Sequence, residues 1–213
     1  NKLVFSPENA DTTAFNIFGA IDVLNDIESK YEALEKLAFL LMPSNFSSDT
    51  EKFFQENGRK ILTGTLVAFW DELDFVEITE KIIENNCEEL FKEIEATGKK
   101  EAIRYIQAFS KTNSANTSGC KQNVDNAIGI YARNSKIKRA IHRPKNGEQV
   151  IEPKSIETHT IIYKISEDLL SLYAPLTNIM TSQIMQYIST RKVTAKSKNL
   201  LIALDELGSL RIE

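Results

Sequence analysis

The stretch Asn199-Leu200-Leu201-Ile202-Ala203-Leu204-Asp205-Glu206-Leu207-Gly208 decides the predicted fold, because it has the pattern of a buried strand that ends in two acids. A short unbroken apolar run is typical of a central strand in a parallel sheet, where both faces are covered. Open α/β sheets bind their ligands at the C-terminal ends of such strands. The pattern therefore indicates a Walker B element, in which Asp205 holds a hydrated Mg²⁺ and Glu206 orients the attacking water. The pattern alone equally fits a strand that ends in a solvated acidic turn.

Two further β-rich runs accompany this strand. Residues 160–165 precede an apolar helical pattern that opens near Pro175, a residue suited to the first turn of a helix. Strand, helix and strand within about 45 residues form a βαβ unit, so residues 160–165 and 200–204 should be parallel. Lys2–Phe5 is a third strand candidate, and all three strands could pair in one small sheet.

Between the strand candidates Lys2–Phe5 and 160–165 the patterns are helical, and we expect at least five helices between residues 15 and 142. Ser48 and Glu51 have the spacing of a capping box that opens a helix extending to about Trp70. A second long helix is predicted from about Ile78 to Thr97, followed by Gly98 as its terminating residue. The polar, apolar-poor run from Ser110 to Asn123 is predicted to be a loop, with a helix after it to about Ile141. The predicted fold class is therefore mainly α, a helical domain inserted in an α/β domain that contributes only a small parallel sheet.

Composition excludes several classes of site. The 213 residues carry a net charge of −4, so any nucleic-acid binding has to come from a local patch. Cys87 and Cys120 match no metal-ligand spacing, and the two histidines are too few for a zinc site without partners. No apolar run reaches the length of about 18 residues that a membrane-spanning helix needs.

One segment is dense in positive charge. Lys136 and Arg139 share a face of the predicted helix, and Arg143 follows one turn later. A polyanion such as DNA could be steered by this face. A solvated helix end that complements the macrodipole explains the same residues. The candidate DNA-binding residues are Arg133, Lys136, Lys138, Arg139, Arg143 and Lys145.

In the order of its motifs, nearly the whole chain resembles the TraD/TraG-type coupling proteins of conjugation and type IV secretion. Residues 15–18, Phe-Asn-Ile-Phe, resemble the family's entry into its all-α domain. Residues 53–62 resemble the aromatic, polar and Gly-Arg helix of that domain. Residues 160–190 resemble the strand and helix that return to the motor domain, and Leu201 to Gly208 resembles its Walker B strand.

The resemblance implies a membrane-anchored hexameric ATPase that moves DNA, with the all-α domain in the cytoplasm receiving cargo. It assigns residues 1–14 and 151–213 to a RecA-like P-loop motor domain and residues 15–150 to the all-α domain. It implies ATP and Mg²⁺ as cofactors, with Glu206 catalytic and Asp205 binding the metal through water. The implied partners are single-stranded DNA, relaxase or relaxosome proteins and secretion-channel proteins.

The family's phosphate-binding loop, which ends in Gly-Lys-Ser/Thr, does not occur in this sequence. We expect that loop upstream of Asn1, and we expect this chain alone to be inactive as an ATPase and to hold no nucleotide. Two other functions remain open at this point. One is a non-enzymatic helical module that binds a protein partner, and the other is a translocase of the FtsK/HerA type that serves another pathway.

Overall fold

The computed structural model describes residues 1–44, 46–111, 113–194, 197 and 199–203, which form two compact units. The helical unit comprises Leu24–Lys138. The strand-containing unit comprises Asn1–Val23 and the described residues from Arg139 onward. The mainly helical fold with a small parallel sheet is thereby confirmed.

The strand-containing unit holds a two-stranded parallel sheet. Strand β1 (Lys2–Phe5) pairs with β2 (Thr160–Tyr163), with Lys2 opposite Thr160 and Phe5 opposite Tyr163. Phe15 forms single bridges to Ile141 and Ile151, which tie the returning chain to the entering one. The elements of this unit are β1 (Lys2–Phe5), α1 (Gly19–Asp22), a 3₁₀ turn (Pro153–Glu157), β2 (Thr160–Tyr163), a 3₁₀ turn (Glu167–Leu169) and α9 (Leu170–Thr190).

The prediction of a strand at residues 200–204 is wrong for residues 200–203, the part of it that the structure describes. Residues 199–203 lie in no strand, and Leu201 is 92% exposed. A strand is stabilised by pairing and by burial of its apolar face, and among the described residues this run has neither. Asp205 and Glu206 lie outside the described residues.

Helix α9 also begins earlier than predicted. It starts at Leu170, so Pro175 lies inside the helix rather than in its first turn. Proline at this depth removes one intrahelical hydrogen bond, and burial of one face of the helix compensates for the loss. That buried face consists of Tyr173, Leu176, Ile179, Met180 and Gln183.

The helical unit is arranged around its longest helix, α3. Ser48 caps α3 by accepting a hydrogen bond from the amide of Glu51, as predicted, while the Glu51 carboxylate accepts from Ser47. Helices α2, α4, α5, α6 and α7 all contact α3. The elements are α2 (Ile27–Leu41), α3 (Asp49–Phe69), α4 (Phe75–Glu84), α5 (Cys87–Ala96), α6 (Lys100–Gln107), a 3₁₀ turn (Ala108–Lys111), α7 (Ser114–Arg133) and α8 (Ser135–Ala140), which crosses the boundary between the units.

The single helix predicted from Ile78 to Thr97 is two helices. Asn85 is extended, and Asn86 starts α5 with a capping box that it shares with Glu89. Asparagine side chains compete with the helical backbone for hydrogen bonds, so two in succession favour a break although the apolar spacing continues across it. The predicted stop is confirmed, since Gly98 has φ +67°.

The loop predicted from Ser110 to Asn123 is wrong, because α7 begins at Ser114 with Asn113 as its cap. The residues buried in this part of α7, Thr117 and Cys120, have small side chains. Gly119 lies against the ring of Phe54 on α3, where an added Cβ would be 2.7 Å from a ring carbon. Close backbone packing replaces the large apolar side chains that the prediction required.

Candidate nucleic-acid interface

The six candidate DNA-binding residues divide between the two units. Arg133, Lys136 and Lys138 belong to the helical unit, whereas Arg139, Arg143 and Lys145 belong to the strand-containing unit. The predicted continuous helix does not carry them, because Asn134 interrupts it and α8 ends at Ala140. Arg143 therefore lies beyond the helix rather than one turn further along it.

In the helical unit, Arg133 and Lys136 are exposed. Arg133 is the last residue of α7, and Lys136 lies in the first turn of α8. Asn134 connects them, since its Oδ1 accepts hydrogen bonds from the amides of Lys136 and Ile137 at 3.0 and 3.2 Å. The cap fixes the direction in which α8 leaves α7, and thus fixes where the two cations stand.

Lys138 is less available to an external anion. Its ammonium forms an ion pair with Glu80 of α4, and both side chains are about one-third exposed. The stretch from Asp71 to Glu95 around Glu80 contains ten acidic and two basic residues. A phosphate at Lys138 would have to displace Glu80 and approach this acidic stretch, which costs electrostatic energy.

In the strand-containing unit, Arg139 and Arg143 both donate hydrogen bonds to other residues of the same unit. Arg139 donates from Nη2 to the carbonyl oxygen of Asn9 at 3.0 Å. Arg143 donates from Nε and Nη2 to the two carboxylate oxygens of Asp22, both at 3.0 Å. Its guanidinium also lies 4.5 Å from the ring centroid of Phe18. An arginine that makes two hydrogen bonds to one carboxylate and lies against an aromatic ring stabilises the fold.

Lys145 is exposed in the turn that follows. The next residue, Asn146, has φ +48°, and Gly147 has φ +79°. Two successive left-handed residues make a tight turn, which asparagine and glycine tolerate best. Of the six predicted residues, Arg133, Lys136, Arg139 and Lys145 are exposed, and Arg139 also donates a hydrogen bond to the carbonyl oxygen of Asn9.

The two cysteines are not part of a site. Cys120, which falls in the region predicted to be a loop, is buried in α7, and Cys87 is half-buried at the start of α5. Burial raises the pKa of both thiols. Neither thiol is therefore activated as a nucleophile.

Across the described ranges, no cluster of three or more histidine, cysteine or acidic side chains has the arrangement of a metal site. In the same part of the chain, no helix combines the length and the apolar character needed to cross a membrane.

Comparison with solved structures identifies the fold. The plasmid coupling protein TrwB, in complex with ADP and Mg²⁺, matches 99% of this chain with a TM-score of 0.67 and 15% sequence identity. The unbound monoclinic form of the conjugative coupling protein TrwBdeltaN70 matches with a TM-score of 0.66, and TrwB with a non-hydrolysable GTP analogue matches with 0.64, both at 15% identity. No protein-family model matches the sequence, and no curated protein does.

The chain spans 45–46% of the length of these TrwB structures. At 15% identity the similarity establishes the fold alone. It supports the coupling-protein fold that the sequence resemblance implies, over nearly the entire chain.

The Arg143–Asp22 pair should stabilise the strand-containing unit. We expect Arg143→Ala to lower the free energy of unfolding, and the interaction energy in a double-mutant cycle with Asp22→Ala should be about 1 kcal/mol, because the two hydrogen bonds are well aligned but only partly buried. Urea unfolding of the four proteins measures it. Lys145→Ala, an exposed cation two residues away, is the control and should leave stability unchanged. Additive effects of Arg143→Ala and Asp22→Ala would show that the pair contributes nothing.

Proposed function

We propose that this chain is part of a DNA-translocating coupling ATPase of conjugation or type IV secretion. The observation that carries the proposal is the match of 99% of the chain to TrwB, a conjugative coupling protein. In this proposal the helical unit receives single-stranded DNA or relaxosome cargo. The strand-containing unit belongs to a RecA-like motor domain into which the helical unit is inserted.

The ATPase part of the proposal rests on Asp205 and Glu206. TrwB structures contain ADP with Mg²⁺ and the ATP analogue ADPNP, which supports ATP and Mg²⁺ as the cofactors of the longer protein. Asp205 holds Mg²⁺ through water, and Glu206 orients the water that attacks the γ-phosphate. Hexamer formation, a membrane anchor and contact with secretion-channel proteins complete the proposed role, with this chain on the cytoplasmic side.

The roles of the two acids can be separated by substitution in the full-length protein. We expect Glu206→Gln to retain nucleotide binding and to abolish turnover, because the amide cannot accept a proton from the attacking water. Asp205→Asn should instead weaken the dependence of nucleotide binding on Mg²⁺. Steady-state ATP hydrolysis and calorimetric nucleotide binding measure the two effects. Unchanged turnover in Glu206→Gln would remove Glu206 from the mechanism.

The DNA-receiving role predicts that the helical unit binds single-stranded DNA through Arg133 and Lys136, its two exposed cations at the candidate interface. Replacing both Arg133 and Lys136 with alanine should weaken binding by about tenfold at low salt, since two phosphate contacts are lost. Fluorescence anisotropy with a labelled oligonucleotide measures the change.

The matched control is the Lys52→Ala, Lys100→Ala double variant. It removes two other exposed cations of the same unit and changes the net charge equally. It should bind like the wild type. Equal weakening in both double variants would mean that net charge, and not this surface, governs the interaction.

A further inference from the structure

Helix α8 is the element on which the chain passes from the helical unit to the strand-containing unit. The helix covers Ser135–Ala140, and the boundary between the units falls between Lys138 and Arg139. Its first turn is fixed by Asn134, whose backbone carbonyl oxygen accepts a hydrogen bond from the amide of Lys138 at 2.9 Å. The helix therefore continues without a break through the boundary.

Before the boundary, α8 is held within the helical unit. Ile137 is fully buried, and the Lys138 ammonium forms an ion pair with Glu80 of α4. Helix α4 is itself fixed at its start by a capping box that Asp74 forms with Glu77. A movement of Lys138 therefore acts on α4.

After the boundary, α8 is held within the strand-containing unit. Arg139 donates from Nη2 to the carbonyl oxygen of Asn9 at 3.0 Å. The carbonyl oxygen of Ala140 accepts from the amide of Phe15 at 2.8 Å, and the carbonyl oxygen of Phe15 accepts from the amide of His142 at 3.2 Å. A movement of the segment that contains Asn9 and Phe15 therefore acts on α8.

At the other crossing between the units, the chain passes from α1 to α2 through a short loop. Asp22, the last residue of α1, is held by Arg143, and Asp26 caps α2. Between these anchors, Leu24 and Asn25 lie in no helix or strand. Residues outside regular structure can rotate about φ and ψ, so this loop can absorb a displacement of either end.

The anchors of α8 have no such loop between them. Lys138, which is anchored in the helical unit, and Arg139, which is anchored in the strand-containing unit, are neighbours in one helix. In a helix the backbone hydrogen bonds fix φ and ψ. A displacement of one anchor is therefore passed to the other.

We propose that α8 couples the two units, so that a displacement of Asn9 and Phe15 in the strand-containing unit moves Lys138 and, through Glu80, moves α4. The loop between Asp22 and Asp26 accommodates this movement by backbone rotation. The coupling requires neither DNA nor nucleotide, so it goes beyond the proposed function. For a motor domain of the proposed kind, α8 is a route to the helical unit.

Coupling is reciprocal, so a change at Glu80 in one unit has to alter local opening in the other. Glu80→Gln removes the ion pair. It should raise the hydrogen-exchange rates of the Phe15 and His142 amides about threefold, because a partly exposed ion pair contributes about that factor to a local equilibrium. Amide exchange of this chain, resolved by NMR, measures the change. The amide of Lys164, which donates to Phe5 in the two-stranded sheet, is the internal reference and should keep its rate.

The matched control is Glu93→Gln. It removes the ion pair between Lys81 of α4 and Glu93 of α5, and it changes the net charge as Glu80→Gln does. This pair does not involve α8. We therefore expect Glu93→Gln to leave the exchange of the Phe15 and His142 amides unchanged.

Insertions test the continuity of the helix. A Gly-Gly insertion between Lys138 and Arg139 keeps both anchors and interrupts α8, because glycine is a poor helix former. In that background, Glu80→Gln should no longer affect the strand-containing unit. A Gly-Gly insertion between Leu24 and Asn25 only lengthens a loop, so the effect of Glu80→Gln should persist there.

Each outcome decides the proposal. Faster exchange of Phe15 and His142 in Glu80→Gln but not in Glu93→Gln, abolished only by the insertion in α8, supports the coupling. Unchanged exchange in Glu80→Gln overturns it. An equal rise in both variants also overturns it, since the effect then follows from net charge or from the stability of the helical unit. A rise that survives the insertion in α8 overturns α8 as the route.

Discussion

The close approach of α3 and α7 is the constraint on which the helical unit depends. An added Cβ at Gly58 would lie 2.7 Å from the carbonyl oxygen of Cys120, and one at Gly119 would lie as near to the Phe54 ring. At Gly58 the close atom belongs to the backbone of α7, so the two helices can pack at this distance only with glycine there, whereas a side chain at position 119 would have to displace the Phe54 ring. Because α3 also contacts four other helices of the unit, fixing α7 on α3 decides which face of α7 is outward. The outward position of Arg133, which we assign to DNA binding, is thus a consequence of packing on the opposite side of the same helix.

The sequence predicts the elements that are marked by large apolar side chains or by side-chain caps. Helix α3, with its Ser48 cap and its buried Ile61 and Leu62, follows from capping and periodicity. The first half of helix α7 does not, because the small residues Thr117, Gly119 and Cys120 pack its inner side and leave no large apolar side chains to count. The breaks at Asn86 and Asn134 are made by side-chain caps, and the spacing of the apolar residues continues across each break. For the same reason, periodicity alone merges two helices into one at each of these places.

The candidate interface was only partly predictable. Charge density along the chain identifies six cations, but their availability depends on partners that lie far away in sequence. Glu80 pairs with Lys138 and Asp22 holds Arg143, and neither contact is encoded by local spacing.

The salt dependence of single-stranded DNA binding to this chain tests the central claim most directly. Each phosphate that a cation neutralises adds about −0.7 to the slope of log binding constant against log salt. With Arg133 and Lys136 on phosphates, we predict a slope of about −1.4 or steeper, and Arg133→Ala should flatten it by about 0.7. A slope near zero, or one that Arg133→Ala leaves unchanged, would contradict the assignment of this surface to the DNA backbone.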